Sequence, residues 1–225
     1  MLPMKLLPAI TYLLPVVLLS ACTGHSSDRP SAPIARPPER GNPFTPSAQL
    51  EDVQQCFADL RSAQVRFTPL PDRQYEGGCS TLHSVKLLDI GTPVTNLGVM
   101  TCPLAKRFVA WIRYGVQPAA RLIMGSELVR VESYGTYSCR PIAGSSKLSE
   151  HAHSNAVDIA AFVFTDGQRV SLKDNWRGSG RDARFLSIVH QSACKRFKTA
   201  ISPDYNSAHH DHFHFDMGGS GGFCR

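Results

Sequence analysis

The stretch that decides the fold reads Ser149-Glu150-His151-Ala152-His153-Ser154-Asn155-Ala156-Val157-Asp158. It leads from a polar cluster into the run from Ala156 to Phe164, the most strand-like segment of the chain. Asp158 lies between Val157 and Ile159, and a carboxylate among such neighbours is costly to bury unless it is paired or binds a metal. The stretch therefore predicts a functional site at the start of a buried strand.

A second polar cluster, Asp211-His212-Phe213-His214, lies near the C-terminus. In a strand, side chains two residues apart share a face, so His212 and His214 are expected to reach one site. Phe213 and Phe215 then point the other way, into the core. A hydrolytic zinc site needs three protein ligands and one open position, and histidine and carboxylate donors suit it. Together the two clusters predict a metal centre.

Hydrophobic periodicity predicts the remaining elements. Helical spacing of apolar residues after Pro103 places Trp111 in the core. Helices are predicted over residues 52–60, 103–114 and 181–197. Strands are predicted over residues 65–70, 85–90, 127–134, 156–164 and 212–217, with residues 169–172 returning as a hairpin partner after a turn at Asp166-Gly167. This pattern predicts an α+β fold with a small antiparallel sheet and flanking helices in a single domain.

The N-terminus predicts export and a lipid anchor. Lys5 precedes the apolar residues 13–19, and Leu19-Ser20-Ala21-Cys22 resembles the lipobox of bacterial lipoproteins. Residues 1–21 are then a signal peptide, and Cys22 is the lipidated residue that ties the chain to a membrane. An ordinary secretory signal with a nearby cleavage site is the alternative. An uncleaved transmembrane helix is disfavoured, because the apolar run is shorter than the ~20 residues that span a bilayer. Thr23, rather than an aspartate, favours the outer membrane, with the domain on the periplasmic side of the envelope.

Composition agrees with this organisation. Residues 22–47 are rich in Pro and Ser and have no apolar period, so they are predicted to form a disordered tether. Residues 48–225 form the folded domain, with 42% hydrophobic residues in the whole chain. The net charge of +6 suggests contact with an anionic membrane face or cell-wall polymer. Export argues against nucleic acid as the partner.

The cysteines point to an oxidising compartment. If Cys22 carries lipid, six of the seven cysteines remain, and an even number in an exported domain predicts three disulfides. Six cysteines allow fifteen pairings. The pairing of nearest neighbours along the chain is taken as the expectation, namely Cys56–Cys79, Cys102–Cys139 and Cys194–Cys224. No C-x-x-C pair is present, which argues against a thiolate metal site.

These residues also carry a resemblance to known families. Ser149-x-His151-x-x-Ser154-x-Ala156-x-Asp158, followed by His212-x-His214, resembles the signature of the metallopeptidase superfamily that includes D-Ala-D-Ala carboxypeptidases and lysostaphin-type enzymes. More closely, residues 137–140, 148–152 and 203–216 resemble the bacterial extensin-like C-terminal domain family. That resemblance covers roughly Cys56 to the C-terminus. It implies a zinc-peptidase-like domain, here stapled by disulfides.

The resemblance implies a role for each matching residue. His151, Asp158 and His214 would bind Zn²⁺, and His212 would lie beside the metal. Superfamily carboxypeptidases often use a glutamate three residues before the last histidine as general base, and that position is Asp211 here. Either Asp211 fills this role or His212 does, as in the endopeptidase branch; His212 is favoured because histidine transfers protons near neutral pH.

Four further positions are expected around the site. Arg140 holds a substrate carboxylate or carbonyl, or else forms a structural salt bridge near Cys139. Ser149 lies at the site's edge, and His209 either supports the metal-binding residues from behind or faces the substrate. Ser154 stands where the superfamily usually has glycine, which adopts a left-handed backbone more readily than serine does.

The sequence thus predicts a monomeric zinc peptidase that acts on peptidoglycan stem peptides or crosslinks, as an endopeptidase rather than a carboxypeptidase. Two alternatives stay open at this point. One is a non-catalytic zinc-containing lipoprotein that binds peptidoglycan. The other is a disulfide-stapled structural lipoprotein without metal.

Overall fold

The computed structural model describes residues 46–225, and for residues 46–51 it describes the backbone alone. The predicted signal peptide, Cys22 and nearly all of the predicted tether lie outside these residues. Within the described part of the chain, no helix combines the length and the apolar character needed to cross a membrane.

Helices and strands are mixed along the chain. The strands are β1 (Arg66–Pro69), β2 (Arg73–Gln74), β3 (Ser80–Thr81), β4 (Ser84–Asp89), β5 (Val94–Thr95), β6 (Val99–Thr101), β7 (Leu128–Gly135), β8 (Ala156–Phe164), β9 (Arg169–Ser171), β10 (Thr199–Ile201), β11 (Phe213–Asp216) and β12 (Phe223–Cys224). The helices are α1 (Pro46–Ser62), α2 (Cys102–Trp111), α3 (Gln117–Ala119), α4 (Leu172–Asn175) and α5 (Arg181–Cys194). Two π-helical segments, Ile112–Val116 and Ala120–Met124, continue α2 and α3, and short 3₁₀ turns form at Glu76–Gly78, Glu150–His153 and Ser207–His209.

The main sheet has the strand order β12-β10-β11-β8-β7-β5, and β9 also pairs with β8. Its pairings are antiparallel except for the short pairs β10–β12 and β5–β7, which are parallel. Strands β1, β4 and β6 form a second sheet, and β2 and β3 a third. The predicted α+β class with a largely antiparallel sheet and flanking helices is confirmed.

Strand β8 contains a bulge that changes which of its side chains face the core. Ser133 of β7 pairs with Ile159, whereas the preceding Glu132 pairs with Ala161, so one residue of β8 is inserted between them. An inserted residue reverses the alternation of side chains along a strand. Ile159 before the bulge and Phe162 after it therefore both belong to the hydrophobic core. Asp158, next to Ile159, points to the opposite face of the sheet.

A helical layer covers the core face of this sheet. The indole of Trp111 is fully buried, with its ring 5.1 Å from that of Phe215 and 6.1 Å from that of Phe162. Its Nε1 donates a hydrogen bond to the Val189 carbonyl of α5 (2.9 Å). The predicted placement of Trp111, Phe213 and Phe215 in the core is confirmed, since all three are fully buried.

The predicted helix 103–114 continues further than expected, to Met124. The extension passes through two π-helical segments, which shift the backbone hydrogen bonds and accommodate Gly115 and Pro118. Gly115 is needed for packing, because a Cβ there would lie 2.3 Å from Ser192 Oγ of α5. Helix α1 begins at Pro46, six residues before its predicted start at Asp52. The other predicted elements begin and end within three residues of their predicted bounds, and β8 matches its predicted range.

The disulfide pairing corrects two of the three expected bridges. The structure pairs Cys56 with Cys102 and Cys79 with Cys139, and only Cys194–Cys224 agrees with the expectation. Pairing by shortest chain separation was wrong because α1 packs on α2, so that the Cα of Cys56 lies 6.2 Å from that of Cys102. In the same way, the turn before β3 lies against the segment after β7.

Removing the Cys79–Cys139 bridge should destabilise the domain. The bridge closes a separation of 60 residues, and a loop of this size is expected to contribute about 2–4 kcal/mol. The double variant Cys79→Ser with Cys139→Ser should lose this amount in urea denaturation. Non-reducing digestion of the unmodified protein should yield a peptide pair that contains Cys79 and Cys139. A pair joining Cys79 to Cys56 would contradict the structure.

Candidate metal centre

The register between β8 and β11 builds the centre. His214 pairs directly with Asp158 across the two antiparallel strands, and directly paired residues have closely spaced side chains. His151 comes from the 3₁₀ turn Glu150–His153 that leads into β8. Ser154 closes this turn in the left-handed conformation (φ 54°, ψ 24°), so the departure from glycine falls at a position that requires a positive φ. This turn folds His151 back towards Asp158.

The donor atoms of three residues converge at this point. His151 Nε2 lies 3.1 Å from Asp158 Oδ2 and 3.1 Å from His214 Nδ1, and His214 Nδ1 lies 2.9 Å from Asp158 Oδ1. Donors that bind zinc at about 2.0 Å in a tetrahedron are separated by about 3.3 Å. The three residues are all buried. They thus form a triangle close in size to one face of a zinc coordination tetrahedron, and their donor types fit the metal.

The backbone and a second carboxylate orient the two imidazoles. His151 Nδ1 donates to the Thr136 carbonyl oxygen (2.9 Å), which leaves Nε2 free for a metal. His214 Nε2 contacts Asp216 Oδ2 (2.9 Å), which leaves Nδ1 for the centre. Such partners hold metal-binding histidines in one tautomer and one orientation.

The charges of the cluster are strongly coupled. Burial by itself lowers the pKa of His214, but hydrogen bonds and charges from Asp158 and Asp216 outweigh burial and raise it to about 9. Burial likewise raises the pKa of Asp158, yet its hydrogen bonds to His151 and His214 outweigh this and hold the pKa well below its ordinary value. A positive charge is therefore favoured at this position, supplied either by a proton or by a metal ion.

His212 lies just before β11 and beside the donor triangle. Its Nε2 is 3.7 Å from Asp158 Oδ1, and its Nδ1 donates to Asp211 Oδ1 (2.9 Å). Asp211 Oδ2 accepts a hydrogen bond from the Tyr134 hydroxyl (3.3 Å). Burial raises the pKa of Asp211, but the hydrogen bond from His212, the charges of His210 and His212 and the hydrogen bond from Tyr134 together outweigh burial and hold the pKa below its usual range. Asp211 thus lies behind the imidazole, on the side away from the triangle.

A cleft of about 700 Å³ opens onto the centre. The predicted positions Ser149, Arg140 and His209 all line it. Ser149 Oγ accepts a hydrogen bond from the His151 backbone N–H (3.3 Å), so it also caps the 3₁₀ turn. Arg140 is exposed and forms no salt bridge with any residue from 52 to 225. Its guanidinium is free to meet a ligand in the cleft.

His209 forms part of the cleft wall. Its ring centre lies 5.2 Å from that of His212 and 5.6 Å from that of His214. Its Nδ1 donates to Asn206 Oδ1 (2.7 Å). Burial, followed by the charges of His214 and His212, lowers the pKa of His209 to about 4. His209 is therefore a neutral imidazole at pH 7.

The family model for the extensin-like protein C-terminus matches residues 54–225. The chain belongs to this family. No curated protein and no solved structure matched the chain. The matched range contains the donor triangle, the His212–Asp211 pair and every disulfide cysteine of this extensin-like domain.

Sequence reasoning missed two groups that support the site. Asp216 follows His214 by two residues, so the period-two argument used for His212 would also have placed it on the site face. Tyr134 could not be found this way, because only the pairing of β7 with β8 brings it near Asp211. A second group of possible ligands, His190, Cys194 and Cys224, has two of its members joined in a disulfide.

Replacement of Ser154 by glycine should stabilise the extensin-like domain. A left-handed backbone costs a residue with a Cβ roughly 1–2 kcal/mol, and Ser154 Oγ is buried with no hydrogen-bond partner in the described residues. Glycine also has more conformational entropy in the unfolded chain, which offsets part of this gain. The free energy of unfolding, measured by urea denaturation, should therefore rise by about 1 kcal/mol in Ser154→Gly. Ser154→Ala removes the hydroxyl and keeps the strain, so it should gain less. Equal gains would show that backbone strain is not the cause.

Asp216→Asn should weaken zinc binding without unfolding the domain. The amide cannot hold His214 with the charge of the carboxylate, and loss of such a partner typically lowers metal affinity about 10–100-fold. Competition with a chromophoric chelator would measure the affinity. Asp204→Asn, on the exposed loop after β10, is the matched control and should leave the affinity unchanged. Equal affinity of Asp216→Asn and the unmodified protein would contradict the assigned role.

Proposed function

We propose that this protein is a zinc-dependent peptidase of the bacterial cell envelope that cleaves peptidoglycan stem peptides or crosslinks. The observation that carries the proposal is the donor triangle of His151, Asp158 and His214 with His212 beside it at the floor of a cleft. A structural zinc site is closed by four protein ligands, whereas a catalytic site keeps a position open. Three donors next to an oriented imidazole fit the second kind.

A bound zinc ion would polarise the scissile carbonyl and lower the pKa of a water molecule to about 7. His212 accepts the proton of the attacking water at Nε2 and then delivers it to the leaving nitrogen. Asp211 holds the Nδ1–H of His212 and stabilises the imidazolium that forms. The lowered pKa of Asp211 makes it a weak base, and this supports His212 as the proton carrier. Arg140 donates to a carboxylate or carbonyl of the substrate.

The location at the cell envelope and the peptidoglycan substrate are proposed from features of the whole chain. The lipobox-like residues before Cys22, the Pro-rich segment and the net charge of +6 suit an anchored protein that reaches an anionic wall. Three disulfides suit an oxidising compartment. A histidine as the proton carrier is the pattern of the endopeptidase branch. We therefore favour cleavage of crosslinks over trimming of terminal residues, by a monomer held at the outer membrane.

His212→Ala should abolish activity and leave the metal in place. Since general acid–base catalysis contributes about 10²–10⁴-fold, the digestion of crosslinked muropeptides should slow by at least the lower figure. Zinc content should stay near that of the unmodified protein, because His212 is not a donor of the triangle. His83→Ala, an accessible histidine paired with Asp72, is the control and should keep both activity and zinc.

Two further measurements separate the alternatives. Asp158→Ala should lose both zinc and activity, and a chelator should stop digestion by the unmodified protein. Conversion of crosslinked dimers to monomers identifies an endopeptidase, whereas loss of a terminal D-alanine identifies a carboxypeptidase. Zinc binding without any change in muropeptides of any wall type would reject the enzyme and favour a zinc-containing module that binds peptidoglycan. Absence of zinc from the purified domain would favour the structural lipoprotein without metal.

A further inference from the structure

The outer surface of the helical layer exposes large apolar side chains. A groove of about 510 Å³ lies between the helical run 112–124 and α5. Leu122 is 85% exposed, Tyr114 is 70% exposed and Ile188 is 40% exposed around it. Largely exposed leucine and tyrosine side chains, grouped on one helical surface, are a feature of surfaces that meet an apolar phase or a partner.

The charged residues that line this groove are all basic. No acidic residue occurs in residues 101–126 or in residues 183–203, and each stretch contains four Lys or Arg residues. Two of these are neutralised by acidic residues from outside the stretches, since Lys106 is paired with Asp59 and Arg121 with Glu127. Arg184, Lys195 and Arg196 line the groove. Neither Arg184 nor Lys195 is ion-paired with a side chain of residues 52–225. A surface of this kind complements a negatively charged partner.

The sheet separates this surface from the metal centre. The helical layer packs on the core face of the main sheet through Trp111 and Phe215, whereas Asp158 and its pairing partner His214 point to the other face. Helix α1, where the described chain begins, belongs to the helical side, because Cys56 is bonded to Cys102 at the start of α2. The groove and the cleft therefore lie on opposite sides of the main sheet.

We propose that this basic apolar surface docks onto an anionic phospholipid membrane. Exposed leucine and tyrosine side chains enter the interface between headgroups and acyl chains, while the surrounding arginine and lysine side chains meet the lipid phosphates. Docking in this orientation turns the cleft away from the bilayer. The inference goes beyond the proposed peptidase activity and does not depend on it.

The test uses the full chain with Cys22→Ser, so that lipidation at Cys22 cannot anchor it. The disulfide-bonded protein is sedimented with vesicles of phosphatidylcholine alone, or with about one third phosphatidylglycerol as the anionic lipid. Binding should be stronger to the anionic vesicles and should weaken as salt is raised. The double variant Arg184→Glu with Lys195→Glu should bind the anionic vesicles about tenfold more weakly or worse. Leu122→Ser should also weaken binding.

Two matched controls test whether the loss of binding is specific to the groove. Arg73→Glu with Lys86→Glu makes the same change in net charge on the smaller sheets, and Leu88→Ser removes a leucine that is 56% exposed on β4. Both controls should bind like the parent chain. Equal binding to the two vesicle types, or equal losses in the groove and control variants, would overturn the proposal. Loss of binding to purified peptidoglycan, with vesicle binding kept, would assign the surface to the wall polymer and also overturn it.

Discussion

The burial of the Asp158 carboxylate is the constraint on which the rest of the site depends. A charge placed between Val157 and Ile159 in the middle of a sheet is unstable unless partners compensate it. Two histidines from distant parts of the chain do so, His151 from the turn before β8 and His214 from β11. Each of these is in turn held by a second group, the Thr136 carbonyl or Asp216. The result is a buried polar cluster in which hydrogen bonds orient both imidazoles and the carboxylate.

The bulge in β8 allows one strand to serve two purposes. Before the bulge, Ile159 faces the helical layer and Asp158 faces the cleft. After it, Phe162 takes over the core side and packs against Trp111. Core and site are thereby divided between the two faces of one sheet. The outer surface of the helical layer, which covers the core face, is basic and apolar. It therefore lies on the opposite side of the sheet from the cleft.

Much of this arrangement follows from local sequence patterns. Periodicity located the main helices and strands, because burial of one face of an element dictates the spacing of its apolar residues. The same rule grouped His212 with His214 and sent Phe213 to the core. It did not reach Tyr134, Thr136 or the pairing of Cys56 with Cys102, since nothing in the local sequence records which distant segments lie side by side. The sequence also left open whether Asp211 or His212 acts as the general base, because the answer depends on which side of the His212 imidazole Asp211 occupies.

The sequence by itself determined the α+β class, the positions of the principal elements and the set of histidines and aspartates available for a metal. It could do so because propensity, period and the cost of buried charge act over a few residues. Only the tertiary structure decided which nitrogen of each histidine faces the centre, that Asp211 lies behind His212, which cysteines are joined, and that the basic helices lie on the sheet face opposite to the cleft. These properties are distances between segments far apart in the chain, and the packing of the whole domain sets them.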